Sequence, residues 1–497
     1  MPETTKRPMR EHPLSGDDIT QWSATRLADA IARGEISSRD VVQQHISTLQ
    51  RFKALNAIAK DRFDAALRDA DEADERIADA KVTNTTSDTA LPPLLGVPFT
   101  VKEFIAVKGM PNTAGFPHRR HQLSTSDAPA VQRLRDAGGI PLGVTNSAGP
   151  IFWMETYNPL YGRVSNPYDL SRTAGGSSGG DGAAVACGGS PLSLGSDLGG
   201  SLRIPAFFNG VFAHLPSVGL VPNTGHFPMA YGEARRNLYL GPVTRKSEDL
   251  YPLLKILAGP DGFDPHARVM PLHNPADVSL TGLPVILAVD STITKPGIEL
   301  ETARYLAART LEARGAIVTE APLPSLRWAI AQALASFSST LDIAGTVADI
   351  IGTHPEQSPG LVVSLLNAPI ALLRLAELAP ARRVRTLAAR RLVNAATKAA
   401  DQIVDLLGDG VMLYPPFPRV APKHFTTYGQ PWLATNTLVF NMLGFPVTQV
   451  PTGIGKSGLP LGLQVAAAPG NDHATIRVAR ALEKGLGGWR PPRMANS

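Results

Sequence analysis

The chain has 497 residues, 43% of them hydrophobic and 18% charged, an ordinary globular composition with room for two or three average domains or one large α/β domain. Its 48 basic and 43 acidic residues leave a net charge of only +5, too little at this size to mark a nucleic-acid binder. The single cysteine, Cys187, excludes an internal disulfide and a cysteine zinc cluster, and suits a reducing compartment.

Residues 1–16 hold no apolar core of the secretory-signal kind and read as a flexible N-terminal arm; residues 491–497 read as a tail. No apolar stretch is long enough to span a bilayer, so a soluble, cytoplasmic protein is expected. From Asp17 onward, Ile19, Trp22, Leu27, Ala30 and Ile31 recur near the period of a helix that Gly34 ends. Ser37 or Ser38 caps a second helix carrying Val41, Val42, His45, Ile46 and Leu49. A third, charged helix is expected over 59–80, its mixed charges forming a solvated face.

Residues 94–101 read as a buried strand, with Lys102 and Glu103 at its end. A helix over 127–137, a strand over 140–144 and a loop over 163–172 follow. Residues 173–205 supply turn, helix, strand, turn and helix. Beyond them residues 241–262 are expected to hold a helix that ends in the loop GPDG, followed by a strand over 285–289 and a helix over 299–314. Residues 326–406 look almost continuously helical, an insertion that breaks the rhythm. Strands at 410–415 and 447–450 and a helix over 472–484 close the chain. This alternation argues for an α/β sheet covered by helices on both faces.

The least ordinary stretch is 173–205, TAGGSSGGDGAAVACGGSPLSLGSDLGGSLRIP. Glycine loses the most backbone entropy on ordering, so this density needs a reason. A flexible linker would not carry the apolar run at 183–187 or the mixed apolar segment at 202–208. Two tight turns that present Ser177, Ser178 and Ser201 fit better.

Three chemistries compete for these turns. Residues 175–179 and 176–180 both fit the G-x-S-x-G nucleophile elbow, which His424 or His473 would have to complete; glycine-rich sequence matches that motif by chance. A phosphate cradle lacks its G-K-[ST] and its later acidic residue. Only His118 and His121 lie close together, and no H-E-x-x-H exists, so no metal and no cofactor is called for. The third option joins Lys102, Ser177 and Ser201. A serine nucleophile needs a base, and burial can lower a lysine pKa far enough to supply one. A second hydroxyl would relay the proton. Free N–H groups at Leu198, Gly199, Gly200 and Ser201 can converge on a developing oxyanion, each worth about 3–4 kcal/mol.

With these residues in this order, the sequence resembles the amidase signature family. The matching text is GVPFTVKE (96–103), NPYDLSRTAGGSSGG (166–180), GSPLSLGSDLGGSLRIPA (189–206), GPVTRKSEDL (241–250) and GLPLGLQV (458–465). The resemblance runs from about residue 20 to 490. It implies a single amidase signature domain over 17–490, with its core motif region at 94–210 and the helical insertion at 326–406. The fold implied is a large mixed twisted β-sheet covered by helices. It also implies a Ser–cis-Ser–Lys triad. Ser201 is then the nucleophile, Ser177, after a cis peptide bond from Gly176, the relay, and Lys102 the base. Gly176, Ser178, Asp197 and Arg203 match positions that brace the site. Asp181 stands where glutamate is usual and Leu215 where lysine is common; both are expected to tune packing.

Within the family, KGMPN (108–112), YGRVSNPYDL (161–170), PAFFNG (205–210), VAPKHF (420–425) and LEKGLGGW (482–489) are similar to the fatty acid amide hydrolases of the second vertebrate type. That type's N-terminal membrane helix is not seen, so a soluble bacterial relative is implied. Ile151 and Phe152 match positions lining the acyl channel, and are otherwise ordinary core.

The resemblance implies an amidase that forms an acyl-enzyme on a small-molecule amide, ester or carbamate, with no nucleic-acid partner. The alternative is the glutamine- or asparagine-hydrolysing subunit of a tRNA-dependent amidotransferase, whose motif commonly has Gln where Ile204 stands. A catalytically silent binding module is disfavoured by retention of Lys102, Ser177 and Ser201 together. The insertion is expected to be a helical cap; peripheral contact with anionic lipid through its arginines is the less favoured alternative. A homodimer is left open.

Overall fold

A computed structural model of the chain describes residues 18–82, 91–149, 153–229, 233–289, 294–323 and 397–493. The N-terminal arm, Ile151, Phe152, residues 494–497 and the insertion from 326 to 396 lie outside them; the insertion's last stretch, within 397–407, is helical.

The first helix, α1 (Ala24–Arg33), starts later than its periodicity suggests. Ser23 interrupts the pattern because its hydroxyl accepts the Arg26 N–H at 3.0 Å, and a short 3-10 turn, Ile19–Gln21, precedes it. Gly34 ends it in the left-handed region, at φ 71°. Ser37 caps α2 (Ser38–Arg51) through the Asp40 N–H. The charged helix is α3 (Phe63–Val82), but its expected first turn is a strand, β1 (Ile58–Asp61). That segment pairs antiparallel with residues 143–145, and tertiary pairing overrides the helical pattern of its neighbours.

The remaining strands of the main sheet are β2 (Pro98–Lys102), β3 (Ile140–Thr145), β4 (Leu192–Asp197), β5 (Phe212–Leu215), β6 (Tyr239–Thr244), β7 (Pro284–Val289), β8 (Ile317–Pro322), β9 (Val411–Tyr414), β10 (Val447–Ile454) and β11 (Pro460–Ala467). They form one mixed sheet of 11 strands in the order β1-β3-β2-β4-β6-β5-β10-β11-β9-β7-β8. Strands β2 to β6 are buried at every position. A strand buried on both faces needs cover on both sides of the sheet. Helices α4 (Pro129–Asp136), α5 (Gly179–Ala186), α6 (Arg203–Phe208), α7 (Leu250–Leu257), α8 (Ile298–Glu312), α9 (Thr435–Leu443) and α10 (Asp472–Leu486) complete the set used below. The mixed α/β sheet expected from the sequence is the one found.

Three local expectations change. The loop at 163–172 is a small hairpin, Ser165–Asn166 with Asp169–Thr173, whose turn Asn166 closes by accepting the Tyr168 N–H. The helix expected within 241–262 is α7, which stops just before the GPDG loop as expected, but residues 239–244 ahead of it form a strand, β6, that was not foreseen. The strand expected at 447–450 runs on to Ile454 and turns back as β11.

The central pairing positions the site. Strand β2 runs parallel to both β3 and β4, with Lys102 opposite Thr145, and Val101 opposite Leu194. Parallel neighbours deliver their C-terminal ends to one edge of the sheet, where sites of such folds form. Lys102, Thr145 and Asp197, each the last residue of its strand, therefore come out side by side. Among the described residues no helix is long and apolar enough to cross a membrane.

Candidate active site

The turn after β4 and the turn before α5 meet over the end of β2. Lys102 is fully buried, and its Nζ donates to Ser177 Oγ at 2.6 Å and to the Ser196 carbonyl at 3.3 Å. Nζ also lies 4.7 Å from the centre of the Phe104 ring. Burial is the largest influence on this ammonium and pulls its pKa from 10.5 down to about 7, against the opposing charges of Asp181 and Asp197.

Ser177 follows a cis peptide bond from Gly176. The turn is held by the segment before Tyr157. Thr156 Oγ1 donates to the Gly175 carbonyl at 2.8 Å and accepts the Gly179 N–H at 3.0 Å. A Cβ on Gly176 would sit 2.4 Å from the Trp153 carbonyl oxygen, so only glycine fits. Glu155, in the same segment, accepts the N–H groups of Phe425 and Thr427 and the Thr427 hydroxyl. The Ser178 N–H donates to the Ser201 carbonyl at 3.1 Å, and its hydroxyl to the Ser196 carbonyl at 3.3 Å. The two serine turns are thus bonded to each other.

The second turn is built around Asp197. Its carboxylate accepts the N–H groups of Gly200 and Leu202, the Arg203 guanidinium at 3.0 Å, and Asn441 Nδ2 at 2.9 Å. Burial alone would raise its pKa, but the Arg203 charge and these donors hold it at about 2. Arg203, also fully buried, donates further to Gln464 Oε1 and Asn441 Oδ1. Gly200 has φ 122°, and a Cβ there would lie 2.1 Å from Thr437 Oγ1. Of the four N–H groups expected on an oxyanion, that of Gly200 is therefore engaged by Asp197. Those of Leu198, Gly199 and Ser201 have no partner among the described residues. Ser201 is half-buried, and its hydroxyl bonds to no described residue.

His424 Nε2 faces the Leu170 carbonyl at 3.1 Å, and the His473 ring packs on His273, so neither hydrogen-bonds to a serine of these turns. Asp181 does more than the packing expected of it. Its carboxylate accepts the hydroxyls of Thr145 at 2.7 Å and Ser193 at 2.6 Å, and burial raises its pKa. Its charge acts directly on Lys102. Sequence reasoning also missed Thr156, Asn441, Gln464 and His226. Only Gln464 lay inside a quoted motif; the others sit where no short pattern marks them.

The Amidase family model matches residues 40–476, so the chain belongs to the amidase signature family and is a hydrolase acting on C–N amide bonds. Fatty-acid amide hydrolase 2-B of Danio rerio is 39% identical, covering 98% of this chain and 94% of its own. Fatty-acid amide hydrolase 2 of Homo sapiens is 37% identical over 98% of this chain and 92% of its own. A solved structure from work on the evolutionary origins of an s-triazine catabolic enzyme superposes with a TM-score of 0.81 at 28% identity, covering 95% of this chain and all of that one.

Proposed function

We propose that this chain hydrolyses lipophilic or aryl amides, and the corresponding esters or carbamates, through an acyl-enzyme on Ser201. The observation that carries the reading is a fully buried lysine 2.6 Å from a serine hydroxyl. A lysine whose pKa lies at about 7 is substantially neutral at physiological pH. In that state the contact reverses, and the Ser177 hydroxyl donates to the Nζ lone pair. Ser177 passes its proton to Lys102 and takes that of Ser201 as Ser201 Oγ attacks the carbonyl. The oxyanion forms against the N–H groups of Leu198, Gly199 and Ser201. The Lys102 ammonium then returns a proton through Ser177 to the departing amine. Water repeats the sequence on the acyl-enzyme and releases the acid.

Gly176 and Ser178 shape the relay turn, and Asp197 and Arg203 fix the nucleophile's turn. Ile204 supports a lipophilic substrate over a glutamine side chain. It is buried, and its Cδ1 lies 2.9 Å from where a Gly200 Cβ would stand, so an apolar group abuts the nucleophile's turn. Ile151 and Phe152 are proposed to line the acyl side.

A hydrolysis panel of fatty amides, anilides, esters and carbamates, run beside free glutamine, tests the substrate class. Faster turnover of glutamine than of any lipophilic amide would favour the amidotransferase-like alternative. Ser201→Ala is expected to lower kcat/KM about 10⁴-fold or more and to abolish the acyl adduct seen by intact-protein mass spectrometry. An adduct that persists in Ser201→Ala overturns the nucleophile assignment.

A further inference from the structure

The pocket around Lys102 has a side wall that the mechanism above does not use. The segment from Gly225 to Pro228 runs back along the residues that follow Lys102. The Ala106 N–H donates to the Gly225 carbonyl at 2.9 Å, and the Phe227 N–H to the Phe104 carbonyl at 2.7 Å. Between these two bonds His226 bridges Ile105. Its ring is thereby fixed against the base. Its edge meets the Phe104 ring at 86°, with centroids 5.7 Å apart, and the same Phe104 ring lies over Nζ. Its Nδ1 faces the Pro228 carbonyl at 2.8 Å and its Nε2 faces Ser196 Oγ at 2.9 Å.

A carbonyl accepts only, so Nδ1 carries the proton and Nε2 is left to accept the Ser196 hydroxyl. The ring is then neutral with both nitrogens occupied. Ser196 in turn offers its carbonyl to Lys102 and Ser178. Among Phe104, Ser177, Ser196 and His226, which surround Nζ or its partner, the first three are 2–3% exposed and His226 is 8% exposed. His226 is therefore the most exposed of the four, though still buried.

We propose that His226 is a positioning residue for Lys102. Its neutral imidazole, bonded to Ser196 and packed on Phe104, closes the lysine's pocket to water and so keeps the base reactive near neutral pH. This rests on Lys102 being the base. Burial, and then the Lys102 charge, push the His226 pKa down to about 3, so the ring stays uncharged throughout the working range. The charged groups facing Lys102 are Asp181 on α5 and Asp197 at the end of β4, and both favour the ammonium. Dryness is what opposes them, and the wall is what keeps the pocket dry.

The experiment is the pH dependence of kcat/KM on a chromogenic amide for the wild type, Lys102→Ala, His226→Ala and His226→Phe. A wild-type profile with an acid limb, and near-complete loss of activity in Lys102→Ala, establish the base. If either fails, the base assignment falls, and that failure is seen before any His226 variant is read. With the base established, His226→Ala is expected to move the acid limb about one pH unit to the alkaline side. Activity at pH 7 then drops about fivefold, while the alkaline plateau stays within about threefold of wild type. His226→Phe restores the wall without the bond and is expected to leave the limb within about 0.3 pH unit. An unmoved limb in His226→Ala, or an equal displacement in both variants, overturns the inference. Should His226→Ala fail to fold, His226→Asn takes its place. It keeps a donor for Pro228, lacks the ring, and must move the limb in the same direction.

Discussion

Two buried aspartates flank the same lysine and behave in opposite ways. Asp181 and Asp197 are equally removed from water, and burial pushes both pKa values up. Asp197 has a guanidinium, a side-chain amide and two backbone N–H groups, and it stays a fixed anion near pKa 2. Asp181 has the hydroxyls of Thr145 and Ser193, and its pKa rises. Hydroxyls donate without carrying charge, so they offset desolvation only in part. The difference teaches that partners, not depth, decide which carboxylate frames the site and which one trades charge with Lys102. One side of Lys102 is scaffold, and the other is adjustable.

Replacing Lys102, the proposed base, should expose that division most strongly. Lys102→Met is expected to cost about 10³-fold or more in kcat/KM while making the fold more stable at pH 7, on the order of 2 kcal/mol. The sign follows from linkage. The folded-state pKa lies below the unfolded one, so the unfolded chain binds more protons between about 7 and 10.5. Wild-type stability therefore rises with pH across that window, and the variant's should not. Parallel denaturant titrations at pH 7 and 9.5 measure both; a variant less stable than wild type at pH 7 breaks the account.

Removing the scaffold cation comes next. Arg203→Met leaves Asp197 buried and uncompensated, at an expected cost of about 3–5 kcal/mol. Asp197 normally contributes stability above the unfolded carboxylate range, lost as pH falls toward its folded pKa of about 2. Without Arg203 that folded pKa climbs, so acid unfolding should begin at a higher pH. Circular dichroism during acid titration reads this directly, and an unchanged acid midpoint would mean the other donors suffice.

The smallest effect belongs to the adjustable side. The Asp181 charge favours the Lys102 ammonium, so Asp181→Asn should let the lysine deprotonate more easily. The acid limb of the pH–rate profile is then expected to move about half a unit to the acid side. Movement in the other direction would show that Asp181 acts on Lys102 through structure and not through charge.

What the sequence made legible follows the range of the interactions. The two glycine turns, the helices after them and Lys102 at a strand end lie within one motif region, and local pattern finds them. The branch of the family and the mixed sheet followed from ordered motifs. Strand β1 was absorbed into the charged helix, because Lys60 and Asp61 continue its polar pattern and only pairing with β3 makes it a strand. Strand β11 was quoted as a motif but not read as a strand, since Pro460, Gly462 and Gln464 break the apolar run. Asp181 was taken for packing because its role depends on distance to a lysine 79 positions earlier. His226 sits in an irregular segment with no short pattern, and its contacts with Phe104 and Ser196 appear only once the chain has folded. Four consecutive N–H groups, from Leu198 to Ser201, were expected to be free, and the bond from Gly200 to Asp197 is invisible until the turn closes.

The brace around Asp197 and Arg203 also sets when a growing chain becomes able to work. A ribosome that has released the chain up to residue 430 has already made Lys102, Ser177 and Ser201. Asn441 and Gln464, which hold Asp197 and Arg203, do not yet exist. Glu155 has only just met Phe425 and Thr427. Such copies, some 430 of 497 residues long, carry Lys102, Ser177 and Ser201 without the two side chains that complete the brace, which closes only as synthesis nears its end.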